Sequence, residues 1–323
     1  MKIGVFTVLF QDLPFEQMLD KVASFGIQSV ELGTGFYPGT SHCDPAFLLE
    51  NENEIFKLKQ IIQDKGLTIS GLSFHGNPLH PNKEIARQSH ESWRKTVELA
   101  AKLDVSVVNG FAGCPGDHPG AKFPNWVTCS WPPEYLEVLE WQWNEVVIPY
   151  WKEEAKFATD HGINKIGFEM HPGFVVYNPE TLLKLRNAVG PMIGANYDPS
   201  HLVWQGIDPV ESIKLLGREN AIFHVHAKDT YLDHENIKKN GVLDTKHYSE
   251  VLDRAWTFRT VGYGSDEKMW KDIVSALRAI NYDDVLSIEH EDILASTDEG
   301  LGKAVKLLKN VIFEEKQTGM WWA

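Results

Sequence analysis

From Lys2 to Glu315 the chain switches eight times between a short β-forming apolar run and a longer stretch with helical periodicity. That alternation predicts βαβ units, and such units bury their strands in a parallel sheet covered by helices. Strands are expected at Lys2–Val8, Ile27–Leu32, Thr68–Phe74, Val105–Phe111, Lys165–Glu169, Met192–Tyr197, Ala221–His226 and Val285–Glu289. Helices are expected at about Pro14–Phe25, Pro45–Lys65, Lys83–Leu103, Glu134–His161 (disturbed at Pro149), Pro179–Val189, Val210–Leu216, Glu267–Ala279 and Asp298–Glu315.

Eight such pairs in 323 residues match the length of a (β/α)₈ barrel. The expected fold is therefore α/β, a single TIM-barrel domain over residues 1–323. Long loops follow strand 4 (Ala112–Pro133) and strand 7 (Ala227–Ser265). A doubly wound open sheet is the alternative. No GxGxxG follows the first strand and no GxxxxGK[ST] occurs, so dinucleotide and P-loop readings lose their support.

A formal charge of −14 argues against sequence-independent binding to nucleic acid or to an anionic membrane, both of which need clustered Lys and Arg. Cys43, Cys114 and Cys129 form no CxxC pair, which leaves neither a disulfide framework nor a cysteine zinc site. The start, MKIGVFTVLF, is too short to span a bilayer and lacks a small-residue cleavage site, so a cytoplasmic location is expected.

Four of the expected strands end alike: KIGFEMHPG, IGANYDPSH, AIFHVHAKD and VLSIEHED. Each delivers a residue able to bind a metal or move a proton, namely Glu169, Asp198, His226 and Glu289. In a parallel barrel all the carboxyl ends open at one mouth. Singly, these residues also read as helix caps or turn residues. Together, one imidazole and three carboxylates form a hard shell suited to one divalent ion: Mn²⁺ first, with Mg²⁺, Co²⁺ or Zn²⁺ as alternatives.

His201 lies three residues beyond Asp198, as an orienting or substrate-contacting group or a satisfied turn histidine. His224, two residues before His226 on the same strand face, is expected one layer deeper. Lys228 is a candidate for holding a sugar hydroxyl or enolate oxygen, against a solvated loop lysine. His75, in SFHGNPLHP after the third strand, is a candidate acid, base or hydroxyl clamp. Glu31 and His42 rank lower, and helix packing is the preferred reading of both. Trp126 heads an aromatic group (Trp126, Trp131, Trp141, Trp143) that suits the apolar C–H face of a sugar, although Trp141 and Trp143, on the helix side, are assigned mainly to core or subunit contact. Arg259 either clamps an anionic substrate group or pairs with a surplus acid. The closing MWWA reads as a tail packed on a second subunit.

With these motifs in order over nearly the whole length, the chain resembles the xylose-isomerase-like barrel superfamily. The closest likeness is to its sugar (phosphate) isomerase/epimerase branch, which includes ketose 3-epimerases and inosose dehydratases. The resemblance implies that Glu169, Asp198, His226 and Glu289 are metal ligands and that His201 contacts substrate. Epimerases of the family usually carry an acid six residues beyond the first ligand and an arginine six beyond the histidine. Val175 and Leu232 stand there. The DNA-repair endonucleases of the superfamily have more histidines and a basic surface, which this chain lacks.

The expected activity is proton abstraction alpha to a carbonyl through a cis-enediolate, with Glu169 and Glu289 as the acid–base pair. A closed mouth is expected to raise their pKa values. The substrate is a small sugar or sugar derivative, and the assembly a homo-oligomer or a complex with a partner subunit. The alternative is a lyase or dehydratase on keto-sugars or keto-glycosides, like the C-glycoside-cleaving enzymes. A third class is a sugar-binding barrel with a structural metal.

Overall fold

The computed structural model describes every residue except Gln317, Trp321 and Ala323. Eight strands close into a parallel barrel: β1 (Lys2–Phe6), β2 (Ser29–Phe36), β3 (Thr68–His75), β4 (Val107–Gly110), β5 (Lys165–Glu169), β6 (Ile193–Tyr197), β7 (Ile222–Ala227) and β10 (Val285–Ile288). β10 pairs with β1 and closes the ring, with Lys2 opposite Val285 and Val5 opposite Ile288. The fold is thus the single (β/α)₈ barrel expected, and the open-sheet alternative falls.

Strands buried on both faces read as apolar runs, which is why all eight are visible in the sequence. Their outer faces pack on the helices around Trp93, Trp151 and Trp270, all fully buried. Trp151 also donates from Nε1 to the carbonyl of Ala112 at 2.8 Å, fixing the start of the loop after β4. Helix ends follow their sequence signals. Asn178 and Thr181 form a reciprocal cap on helix Pro179–Val189, and Asp266 caps Glu267–Ala279.

Three local expectations are corrected. The helix expected over Pro45–Lys65 is two helices, Pro45–Glu50 and Glu52–Asp64, broken at Asn51, whose side chain bonds back to the carbonyl of Phe47. The one expected over Glu134–His161 runs as Glu134–Trp141, a wide turn at Gln142–Val147, then Ile148–Asp160. Pro149 cannot donate to the carbonyl four residues back, and the widened turn directly before it absorbs that loss. The first strand ends at Phe6, and Thr7–Phe10 is a 3₁₀ turn.

The excursion after β7 is structured. β8 (Asp229–Leu232) pairs antiparallel with β9 (Trp256–Arg259), and helix His234–Asn240 lies between them. Trp256 stacks on Trp204, ring centroids 4.7 Å apart and planes 5° from parallel, which ties the hairpin to the end of the short helix Pro199–Val203 that follows β6. Of the terminal MWWA, Met320 and Trp322 are exposed, while Trp321 and Ala323 lie outside the described residues. Among the described residues, no helix is long and apolar enough to cross a membrane.

Candidate metal centre and active-site cavity

Register brings the four strand-end motifs to one level. Glu169 closes β5 opposite Asn196 of β6, and His226 of β7 lies opposite Ser287 of β10. Glu289 follows β10 directly, its N–H bonded to the carbonyl of Ala227 at 3.2 Å. Asp198 follows β6 and also caps the short helix Pro199–Val203, with Oδ1 accepting from the Ser200 N–H at 2.8 Å. The capping reading of this aspartate therefore holds for Oδ1, and Oδ2 is left over.

One ligand atom from each of Glu169, Asp198, His226 and Glu289 lies within 4.8 Å of the others, and all four residues are buried. His226 Nδ1 is 3.1 Å from Glu289 Oε2, 3.5 Å from Glu169 Oε2 and 3.9 Å from Asp198 Oδ2. Asp198 Oδ2, His226 Nδ1 and Glu289 Oε2 are buried with no hydrogen-bond partner of acceptable geometry in the protein. Buried polar atoms are rarely left so. Three carboxylates and one imidazole nitrogen converging, with unpartnered atoms on Asp198, His226 and Glu289, fit a hard divalent cation. The cluster could bind a metal.

Beneath it, Glu31 is fully buried in the barrel interior. Its carboxylate lies 3.0 Å from His226 Nε2 and accepts from Ser287 Oγ at 2.6 Å and Asn109 Nδ2 at 3.3 Å, with Ser73 also donating. With Nε2–H directed to Glu31, the Nδ1 lone pair of His226 faces the other three donors. Space for Asn109 is cleared by Gly167, where an added Cβ would come within 2.5 Å of Asn109 Oδ1. Burial would raise the Glu31 pKa, but the charges of His226 and His224 and its hydrogen bonds outweigh it and hold it far below the usual range. Burial would lower that of His226, yet Glu31 and Glu289 raise it well above the ordinary value.

Sequence reasoning ranked Glu31 below the strand-end residues and favoured helix packing. The structure corrects this. Glu31 points into the barrel and orients His226; the signal was a lone acid within the apolar run VELGTGF. His224 lies one layer deeper, with Nδ1 2.9 Å from Asn196 Oδ1 and Nε2 3.1 Å from Ser70 Oγ.

The other candidates separate. His75 Nε2 lies 3.2 Å from Glu169 Oε2 and His201 Nε2 lies 3.0 Å from Glu169 Oε1, so two imidazoles bracket that carboxylate. Lys228 is buried, its Nζ 2.6 Å from Glu291 Oε2, 3.4 Å from Glu289 Oε2 and 4.2 Å from the centre of the Phe258 ring. Arg259 is not brought to the cluster. It pairs with Asp292, Nε to Oδ2 at 3.2 Å, and Asp292 also accepts from the backbone and hydroxyl of Thr260. Trp126 borders a separate side cavity. His171, not singled out from the sequence, sits between the two cavities with its ring 4.1 Å from that of His201.

The rise in pKa expected at Glu169 and Glu289 does not occur; Asp198 is instead the carboxylate of the cluster that burial raises. At Glu169 burial is outweighed by the His201 and His75 hydrogen bonds and by nearby imidazolium charge, which lower it well below the ordinary value. At Glu289 the charges of Lys228 and His226 overcome burial and bring it down to about 2.

Glu169 and Glu289 open into a cavity of about 720 Å³, also bordered by His75, Lys228, Phe111 and Tyr37. The sequence profile of the family described as xylose isomerase-like TIM barrel matches residues 19–311. The chain belongs to this family. A xylose isomerase-like barrel is also what the solved structures resemble. The probable 3-DHS dehydratase AsbF of Bacillus anthracis superposes with a TM-score of 0.67 at 18% identity, covering 96% of this chain and 99% of that one. A D-tagatose 3-epimerase-like protein gives 0.65 at 23%, over 96% and 98%. The IolI protein, with a bound zinc atom, gives 0.66 at 18%, over 98% and 100%. At these identities the likeness shows the fold alone. The uncharacterized protein YfiH of Bacillus subtilis (strain 168) is 39% identical over 314 residues, 97% of this chain and 99% of its own.

Proposed function

We propose that the protein is a divalent-metal-dependent sugar isomerase or epimerase that removes and returns a proton alpha to a carbonyl. The observation carrying this reading is the convergence of Glu169, Asp198, His226 and Glu289, three with unpartnered buried atoms, beside a cavity of about 720 Å³. Glu169, Asp198, His226 and Glu289 would hold the ion, which supplies Lewis-acid polarisation of a carbonyl and its neighbouring hydroxyl. Mn²⁺ is the ion we favour, on the oxygen-rich donor set.

Glu169 and Glu289 come from β5 and β10, strands separated in the ring by β6 and β7, so their carboxylates approach from different sides. One takes the proton and the other returns it by way of a cis-enediolate. Both are ionised throughout the neutral range, so either is ready to accept; the one that returns a proton first takes it from solvent, and the other gives its own proton back to solvent afterwards. His75 and His201 fix the two oxygens of Glu169 and leave it little freedom to rotate. Lys228 brings a cation to the oxygen where charge develops. Epimerisation follows if the proton returns to the opposite face of the same carbon, and isomerisation if it moves to the next.

The likeness to a D-tagatose 3-epimerase-like protein agrees with this reading, and that to a dehydratase with a second one. In the second, the same enolate expels a β-oxygen substituent, the C–O bond breaks and the leaving oxygen takes a proton. Lys228 favours it: burial would lower its pKa, but Glu289 and Glu291 raise it well above the usual value and keep a proton available. Val175, buried in apolar packing, and Leu232, packed on the Trp204–Trp256 cluster, also offer no polar grip on a simple ketose.

The test is a screen of keto-sugars with Mn²⁺-loaded protein in D₂O. Deuterium entering the carbon next to the carbonyl supports proton transfer, and an unsaturated keto product selects elimination. Binding without exchange or elimination across the panel overturns both.

A further inference from the structure

Beside the main cavity lies a second, of about 340 Å³. The two meet along His171, Tyr248 and Phe258, which border both. His201, 3.0 Å from Glu169, lines the second cavity, so the catalytic carboxylate and the side cavity lie on opposite sides of one imidazole. Its walls are aromatic. Trp204 and Trp256 form a stacked pair. Tyr248 stacks on Phe258 with ring centroids 5.7 Å apart and planes 20° from parallel, and Trp126 closes another side.

Among the described residues, no lysine or arginine lines this cavity, so its polar chemistry offers no cationic side chain of that type. Its one carboxylate, Asp244, is taken up by the Ala255 N–H at 2.7 Å and by the backbone and side chain of Lys246, each at 2.9 Å. The indole N–H groups of Trp126 and Trp204 are buried and find no partner in the protein, and the hydroxyl-bearing residues of the wall are Thr128, Thr245 and Tyr248. A phosphate would find no cation here. A neutral ring with an apolar face and hydroxyls at its edge would find stacking surfaces together with the hydroxyls of Thr128, Thr245 and Tyr248.

We propose that the side cavity is a subsite for a second, uncharged ring, and that the substrate is a sugar carrying a glycosyl or aryl group rather than a free monosaccharide. This rests on the proposed sugar chemistry for the position of the reacting ring, and goes beyond it by assigning the cavity that chemistry does not use. It also gives Trp126 a place, since this residue lies away from the metal-ligand cluster but on the wall of the subsite. A glycosyl and an aryl ring share the flat apolar face these walls would recognise, and the probes separate them.

The experiment uses isothermal titration calorimetry on the Mn²⁺-loaded full chain. Lactulose is compared with D-fructose, and phenyl β-D-glucopyranoside with D-glucose. At least one two-ring probe is expected to bind about tenfold more tightly than its one-ring counterpart, the gain expected for one stacked ring. The pair showing the gain identifies the ring as glycosyl or aryl. Thr128→Trp and Thr245→Trp, at the exposed edge of the side cavity, are each expected to abolish that margin while changing one-ring affinity less than about twofold. No margin for either pair, or a margin that survives both substitutions, overturns the proposal. A margin without solvent exchange from any keto-sugar keeps the subsite and removes the proton-transfer reading. Exchange without a margin removes the subsite alone.

Discussion

Two buried carboxylates flank His226 and are treated in opposite ways. Glu31, on its Nε2 side, accepts from Ser73, Asn109, Ser287 and His226 and has no unpartnered oxygen. Glu289, on its Nδ1 side, is also buried, yet its Oε2 has no hydrogen-bond partner of acceptable geometry and faces Asp198 Oδ2 and His226 Nδ1 in the same condition. The contrast separates two uses of an acid inside a protein. A satisfied carboxylate orients its neighbour and stays put, whereas an unsatisfied one keeps its lone pairs for something that arrives. Asp229 belongs to the first kind. It accepts from the N–H groups of Gly262, Gly264 and Ser265 and from Trp270 Nε1, and so ties the hairpin excursion to the barrel.

The sharpest way to break this contrast is at the unsatisfied group. Glu289→Gln removes both a ligand and a proton carrier, and solvent exchange into substrate is expected to fall by about 10²–10⁴-fold. Exchange at the wild-type rate in a metal-replete variant would end the assignment. Glu31→Gln is the next step down. The amide holds His226 less well, and Mn²⁺ affinity, read by calorimetry, is expected to drop by about 10–100-fold. An unchanged affinity would make Glu31 a packing residue.

A milder lever is pH. Without a cation His226 carries a proton across the neutral range, since its pKa is raised well above the ordinary value. Metal binding must release that proton, so Mn²⁺ affinity is expected to climb as pH rises from 6 to 8, by up to about tenfold per unit. Proton release measured in buffers of different ionisation enthalpy checks it, and a flat profile would show that His226 is neutral beforehand. The smallest effect on the site is expected from Asp229→Asn. Chemical denaturation should show a loss of about 1–3 kcal/mol, while Mn²⁺ affinity stays within about twofold. A large loss of metal binding would mean that the satisfied acids are not separable from the site.

The same contrast explains what could be read from the chain. All eight barrel strands were legible because burial on both faces demands continuous apolar runs, and Glu169, Asp198, His226 and Glu289 were legible because each ends such a run. Glu31 was not, because its partners come from β3, β4, β7 and β10 and share no local pattern with it. The β8–β9 hairpin was missed for a related reason. Asp229 pairs with Arg259 across a long insertion, and neither short strand has the turn chemistry that marks a tight hairpin. Arg259 had two readings, and Asp292 decided between them only once β9 and the end of β10 were side by side.

Around the ring the order is β10, β7, β6, β5, and these are the four strands that deliver Glu289, His226, Asp198 and Glu169. The side chains that could hold an ion therefore occupy one continuous arc of the wall. The opposite arc, β1 to β4, contributes His75, Phe111 and Tyr37 to the rim without supplying any of the four. In a barrel laid out this way, the rim on the β1–β4 half can vary while the four strand ends on the other half are left as they stand.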